Sequence, residues 1–158
     1  MAARTPGVGV GSGGITGMRR RNPARWRAIE ARLSRESNIW LSTVRQDGRP
    51  HLVPLWYVWV NERLYICTGS ETQKFTNMFH NQNVALALPD AASVVIIEGE
   101  AHTAPKSSID ALAEHFYHKY EWDFRYDDTA DWRLIEITPF KILAWGDGFD
   151  QGEGTRVY

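Results

Sequence analysis

The chain has 158 residues, 43% hydrophobic and 23% charged, with a net charge of −1. That describes one globular domain able to bury a core, and the near-neutral charge excludes a general field for nucleic acid or an anionic membrane. No apolar run is long enough to span a bilayer, and the lone Cys67 excludes an internal disulfide or a multi-cysteine metal site, which fits a reducing cytoplasm.

Residues 1–21 read as a flexible N-terminal tail, rich in Gly and small residues and without the apolar stretch of a signal peptide. Residues 22–158 form the folded domain with its C-terminal segment. Asn22-Pro23 is a cap followed by a first-turn proline, and Trp26, Ile29 and Leu33 place an amphipathic helix over 23–35. A strand follows over 38–45, and Asp47-Gly48 turns it into a second over 50–60. Pro54 interrupts that second strand and marks an edge, a bulge or a ligand-facing spot. Asn61-Glu62 turns the chain into a third strand ending near Gly69, so the first three strands read as an antiparallel meander.

A short helix over 71–81 comes next. Strands follow over 83–88 and 93–105, the latter with Gly99 as a bulge. Residues 106–120 read as a helix capped by Ser107 or Ser108. The stretch 121–131 has no period, and 132–145 reads as a last strand pair bent at Pro139. The sum is a mainly β fold with peripheral helices, a six-stranded antiparallel barrel, closed or nearly so.

Three features carry chemistry. After the third strand, Thr68 and Ser70 offer hydroxyl donors beside a helix start, and Lys74 can reach back as a cation. This is either a phosphate site or an ordinary capped helix with a solvated lysine. On the second strand, alternation puts His51, Val53, Leu55 and Tyr57 on one face and Leu52, Pro54, Trp56 and Val58 on the other. A strand broken by proline leaves backbone groups for a planar heterocycle, with Trp56 and Trp59 as a wall. Finally, His115 and His118 have helical spacing for metal, but no third ligand is specified, and no metal site is expected.

The run "DGRPH…P…W", then "LYICTGSETQKFTN" and "NVALAL", resembles the core of the pyridoxamine 5′-phosphate oxidase-like split-barrel superfamily, over about residues 23–103. Its texture is most similar to the branch using flavin or the deazaflavin coenzyme F420. The resemblance implies a six-stranded split barrel and a homodimer with two cofactor sites at the subunit interface. It implies an oxidoreductase that transfers hydride between FMN or coenzyme F420 and a small-molecule substrate. Val53, Pro54, Leu55 and Trp56 would line the ring, Thr68, Ser70 and Lys74 would hold the phosphate, and Trp145 would stand near the ring. Gln73 and Trp56 replace an Arg and a Lys of the vitamin-oxidising members, which points away from that activity. The alternative is a flavin- or haem-binding module without turnover. His51 is the nearest candidate for a general acid, with Tyr57 on its face.

Overall fold

Residues 50–60 are rich in β-formers and fold into strand on either side of Trp56 and Tyr57, but they change partner midway. The first half is strand β2 (Pro50–Leu55), antiparallel to β1 (Ile39–Val44). After Trp56 and Tyr57 the chain continues as β3 (Val58–Val60), antiparallel to β4 (Arg63–Gly69). The expected single strand is thus two, and the expected last pair is one continuous strand, β7 (Trp132–Gly146). With β5 (Asn83–Ala87) and β6 (Ser93–Thr103), the strand order is β2-β1-β5-β6-β7-β4-β3. That is a curled antiparallel half-barrel of seven strands in place of the expected six. A short β8 (Arg156–Val157) pairs with β7. This computed structural model describes residues 22–149 and the backbone of 156 and 157. The tail expected over 1–21 and most of the C-terminal segment lie outside the described residues.

The curl follows from connectivity. β2 and β3 are the two ends of the sheet, yet only Trp56 and Tyr57 separate them. Three Cα steps of about 3.8 Å hold Leu55 and Val58 within about 11 Å. Seven strands about 4.8 Å apart cannot lie flat with their ends that close, so the sheet rolls up. Side-chain alternation survives the switch. Ile39, Leu41 and Thr43 face Leu55, Val53 and His51 across the ladder, and all three β1 residues are buried. Tyr57 points inward with them at 0% exposure, while Trp56 points out.

Between ladders, the backbone of Tyr57 needs other partners. The C-terminal turn of α3 (Ile109–Tyr120) supplies them. The Tyr57 N–H donates to the Tyr120 hydroxyl at 2.9 Å, and Lys119 Nζ donates to the Tyr57 carbonyl at 3.0 Å. The Lys119 ammonium also lies 4.0 Å from the Tyr57 ring centroid. Burial pushes its pKa down to about 8. The Tyr57 hydroxyl donates to Leu33 O at 2.6 Å, near the end of α1 (Pro23–Arg35).

Two cores result. Inside the barrel, Trp26, Ile29 and Leu33 of α1 pack on Ile66, Ile97 and Ile137. Arg25 and Arg32 tie α1 to the Ala144 and Ser93 carbonyls. Outside it, α3 lays Leu112, Ala113 and Phe116 on Val58, Tyr65 and Leu134. The α3 helix begins after a single 3-10 turn at Lys106–Ser108, and the Ser108 hydroxyl donates back to Pro105 O instead of capping. Gly99 is the bulge expected of it. The β6–β7 register shifts at Glu98/Gly99, and a Cβ on Gly99 would stand 2.6 Å from Thr138 O.

Replacing Tyr120 with Phe removes the acceptor for the buried Tyr57 N–H. We expect a loss of about 1–2 kcal/mol in urea unfolding, against less than about 0.5 kcal/mol for the exposed Tyr117→Phe. Equal effects would mean that the strand switch is not held by this hydroxyl.

Candidate functional site

The strand switch leaves a gap in the wall. β4 is paired with β3 only over Arg63–Tyr65, whereas its pairing with β7 runs on to Gly69. From Ile66 onward its other edge faces no strand. Here a cavity of about 430 Å³ opens, lined by Leu55, Trp56, Cys67, Phe116, Trp122 and Trp132, with Lys74 and Asp127 as its charged groups.

The walls are aromatic because the outward Trp56 meets the end of α3 and the segment after it. Trp56 stacks on Tyr120, with ring centroids 4.5 Å apart and planes 7° apart. Trp122 meets Trp56 edge-on at 6.1 Å and Trp132 at 5.0 Å. The Trp122 indole N–H donates to Asp127 Oδ2 at 2.7 Å, and Thr129 N–H and Oγ1 hold Asp127 Oδ1. Thr129 first, then Trp122, holds the Asp127 carboxyl down at about 2. Burial pushes the Cys67 thiol up, so it is no nucleophile.

Lys74 lies in α2 (Gln73–His80), half-buried, and its pKa is lowered by desolvation. No carboxylate among the described residues pairs with it. His51, on the inward face of β2, also has its pKa lowered, first by desolvation and then by Arg45 and Lys74. It is therefore largely neutral at pH 7, and its Nδ1 is buried without a hydrogen-bond partner.

Thr68 and Ser70 stand apart from this cavity. Thr68 is fully buried, its hydroxyl bonded to Thr72 Oγ1 at 2.8 Å. Thr72, not Ser70, caps α2, its side chain accepting from the Phe75 N–H. Both Ser70 donors go to Asp131: the N–H to its carbonyl at 3.0 Å and the hydroxyl to its carboxylate at 2.8 Å. Of the three expected phosphate ligands, Lys74 alone is left with an open charge.

Leu55 and Trp56 line the cavity. Val53 is half-buried on the inward face beside His51, and Pro54 is exposed opposite Trp40. Trp145 lies toward the other end of β7 from Trp132, opposite Val94 and 42% exposed, so one chain does not bring it to Lys74. Trp59 is no cavity wall. It packs into the barrel core, edge-on to Trp26 at 6.4 Å. Trp122 and Asp127, from a stretch whose sequence shows no period, and Trp132, the first residue of β7, take that place. The usable signal was two tryptophans bracketing an aspartate-rich turn.

A cofactor with a planar ring and an anionic tail fits part of this arrangement. Among the described residues Lys74 lacks a counter-ion and His51 Nδ1 a partner, and most of the cavity wall is aromatic or apolar. The Thr68 and Ser70 hydroxyls do not fit, being already engaged. The cavity residues able to hold such a group are therefore Lys74, Leu55 and Trp56, with His51 and Val53 on the neighbouring stretch of β2.

The family described as pyridoxamine 5′-phosphate oxidase matches residues 26–146. No curated protein matches the chain. Similar solved structures include General Stress Protein 26 from Bacillus anthracis str. Sterne, 26% identical over 75% of this chain and 91% of that one, with a TM-score of 0.61. An F420 reductase is 24% identical over 72% of this chain and 94% of its own, also at 0.61. A heme binding protein from Mycobacterium smegmatis is 18% identical over 84% of this chain and 55% of its own, at 0.67.

The depressed Asp127 pKa sets the pH range of the wall. Its carboxylate holds the Trp122 indole fully above the ordinary value of 3.8 and lets go as pH falls through about 2. The Trp122 indole N–H resonance should titrate with a midpoint near 2. A midpoint near 4, the ordinary Asp value, would show that the bond does not form in solution.

Proposed function

The chain belongs to the pyridoxamine 5′-phosphate oxidase family, and from that premise we propose a cytoplasmic, homodimeric oxidoreductase that binds FMN or coenzyme F420 in the gap beside β2. The observation that carries this reading is Lys74: a half-buried ammonium without a counter-ion among the described residues, lining an aromatic cavity. When bound, either cofactor supplies hydride chemistry to a small-molecule substrate. The protein's part is binding, orientation and exclusion of water. Lys74 meets the anionic tail, Leu55 and Trp56 flank the ring, and Val53 and Pro54 fix the strand behind it. His51, neutral at pH 7, offers a hydrogen bond from its free ring nitrogen and not a ready proton.

The outward face of the sheet supports dimerisation. Pro54, Trp40, Ala87, Ile96 and Leu143 stand in one row across five strands. Leu52 and Trp145 flank that row and are 60% and 42% exposed. Exposed apolar rows of this kind mark interaction surfaces. A second copy seated there would also be the way to deliver Trp145 to the cofactor. Among the described residues no helix is long and apolar enough to cross a membrane.

A second reading, a binding module without turnover, draws on the engaged hydroxyls. With Thr68 buried and Ser70 held by Asp131, the phosphate clamp is reduced to one lysine. For haem, no histidine among the described residues lines the cavity itself, and His51 stands on the strand beside it.

Two measurements test this. Losing a charge-assisted hydrogen bond worth about 1.5–3 kcal/mol, Lys74→Ala should weaken FMN or F420 binding at least about tenfold by tryptophan quenching. Unchanged affinity would remove Lys74 from the site. In sedimentation equilibrium the wild type should be a dimer and Trp40→Glu a monomer at micromolar concentration; a monomeric wild type would sink the shared-interface site.

A further inference from the structure

Three tryptophans line one aromatic box, Trp122 lying at 70° to Trp56 and at 79° to Trp132. Indole faces are electron-rich and attract cations, whereas their apolar area alone holds neutral rings just as well. The sign of the preferred ligand is therefore set by charge nearby. Asp127 lines the same cavity, half-buried and fixed by the Trp122 and Thr129 donors. The segment 121–131 carries five carboxylates against one guanidinium, Arg125. That guanidinium is engaged by Asp110 and Asp123. Lys74 opposes this bias, but in the function proposed above the anionic tail of the cofactor meets its charge. What remains in the cavity is negative.

We propose that the Trp56–Trp122–Trp132 box with Asp127 is the substrate subsite, and that it takes a small organic cation, an ammonium or a protonated nitrogen ring. Asp127 is then the specificity residue: it neither reacts nor holds the cofactor. The inference rests on the cofactor reading through Lys74, so the two are tested with separate probes.

The full-length protein is titrated with benzyltrimethylammonium, benzyl alcohol and phenylacetate by calorimetry, with and without saturating FMN or F420. The cation should bind about tenfold more tightly than the alcohol, in keeping with cation–π attraction in a partly desolvated box. Phenylacetate should bind more weakly than the alcohol once cofactor is present. Asp127→Asn, an isosteric change that keeps an oxygen acceptor for the Trp122 indole, should erase the preference for the cation and leave the alcohol unaffected. Tighter binding of phenylacetate with cofactor present, or an Asp127→Asn protein that keeps the preference, would overturn the subsite. Cofactor affinity is read independently from flavin or deazaflavin fluorescence. Normal cofactor binding without cation preference defeats this inference alone, while cation preference without cofactor binding defeats the cofactor reading and leaves the box standing.

Discussion

The hydrogen bonds made by the backbone of Tyr57 are what the rest of the structure depends on. An extended chain that leaves one ladder and joins another must abandon at least one residue's polar groups between them. In a buried place that costs about 1–3 kcal/mol per group unless something replaces the lost partner. Tyr120 and Lys119 replace it, from a helix sixty-odd residues further along. Because they do, one stretch of chain can serve as both ends of a seven-stranded sheet. The sheet then has to curl, α3 is held over β3 and β4, and the stretch of β4 beyond Tyr65 is left without a second neighbour. The aromatic cavity is the space that this arrangement leaves.

The sequence was legible where its signals are local. Alternation from His51 to Val58 assigns each side chain to the face it occupies, straight through the switch, because the pleat of an extended chain does not depend on its partner. Gly99 announced the bulge because a side chain there would collide with Thr138. The change of partner at Trp56 was not legible, since a strand that pairs left and then right has the same propensities as one that pairs with the same neighbour throughout. Strand number was misjudged for that reason, and because Pro139 suggested a break that β7 passes through as one strand.

The site was legible in part. Lys74, Leu55 and Trp56 do meet in one cavity. The hydroxyls of Thr68 and Ser70 were expected from their place at a helix start and from the family resemblance, and neither says which way a side chain turns or what competes for it. Thr68 turns inward to Thr72, and Asp131 takes Ser70 from 61 positions away. Segment 121–131 resisted reading because turns, not periodicity, order it. Its Asp123 and Asp127 side chains each accept the backbone N–H of the residue two further along, a pattern of side-chain caps with no apolar rhythm to reveal it.

The position of β2 at the end of the sheet path has a consequence for how the protein behaves in company. A terminal strand is a template on which a stranger's strand can add, and the path's other end is covered by α3. β2 lacks such a cover among the described residues, and its Leu52 is well exposed. It carries proline at two of its six positions, Pro50 and Pro54. Each removes a donor from any ladder that tried to grow outward or inward at that point. The residue that marks the strand as unusual for ligand binding thus also blunts it as a seed for aggregation, and a ligand that uses side chains and flat faces tolerates such an edge where a foreign β-strand does not.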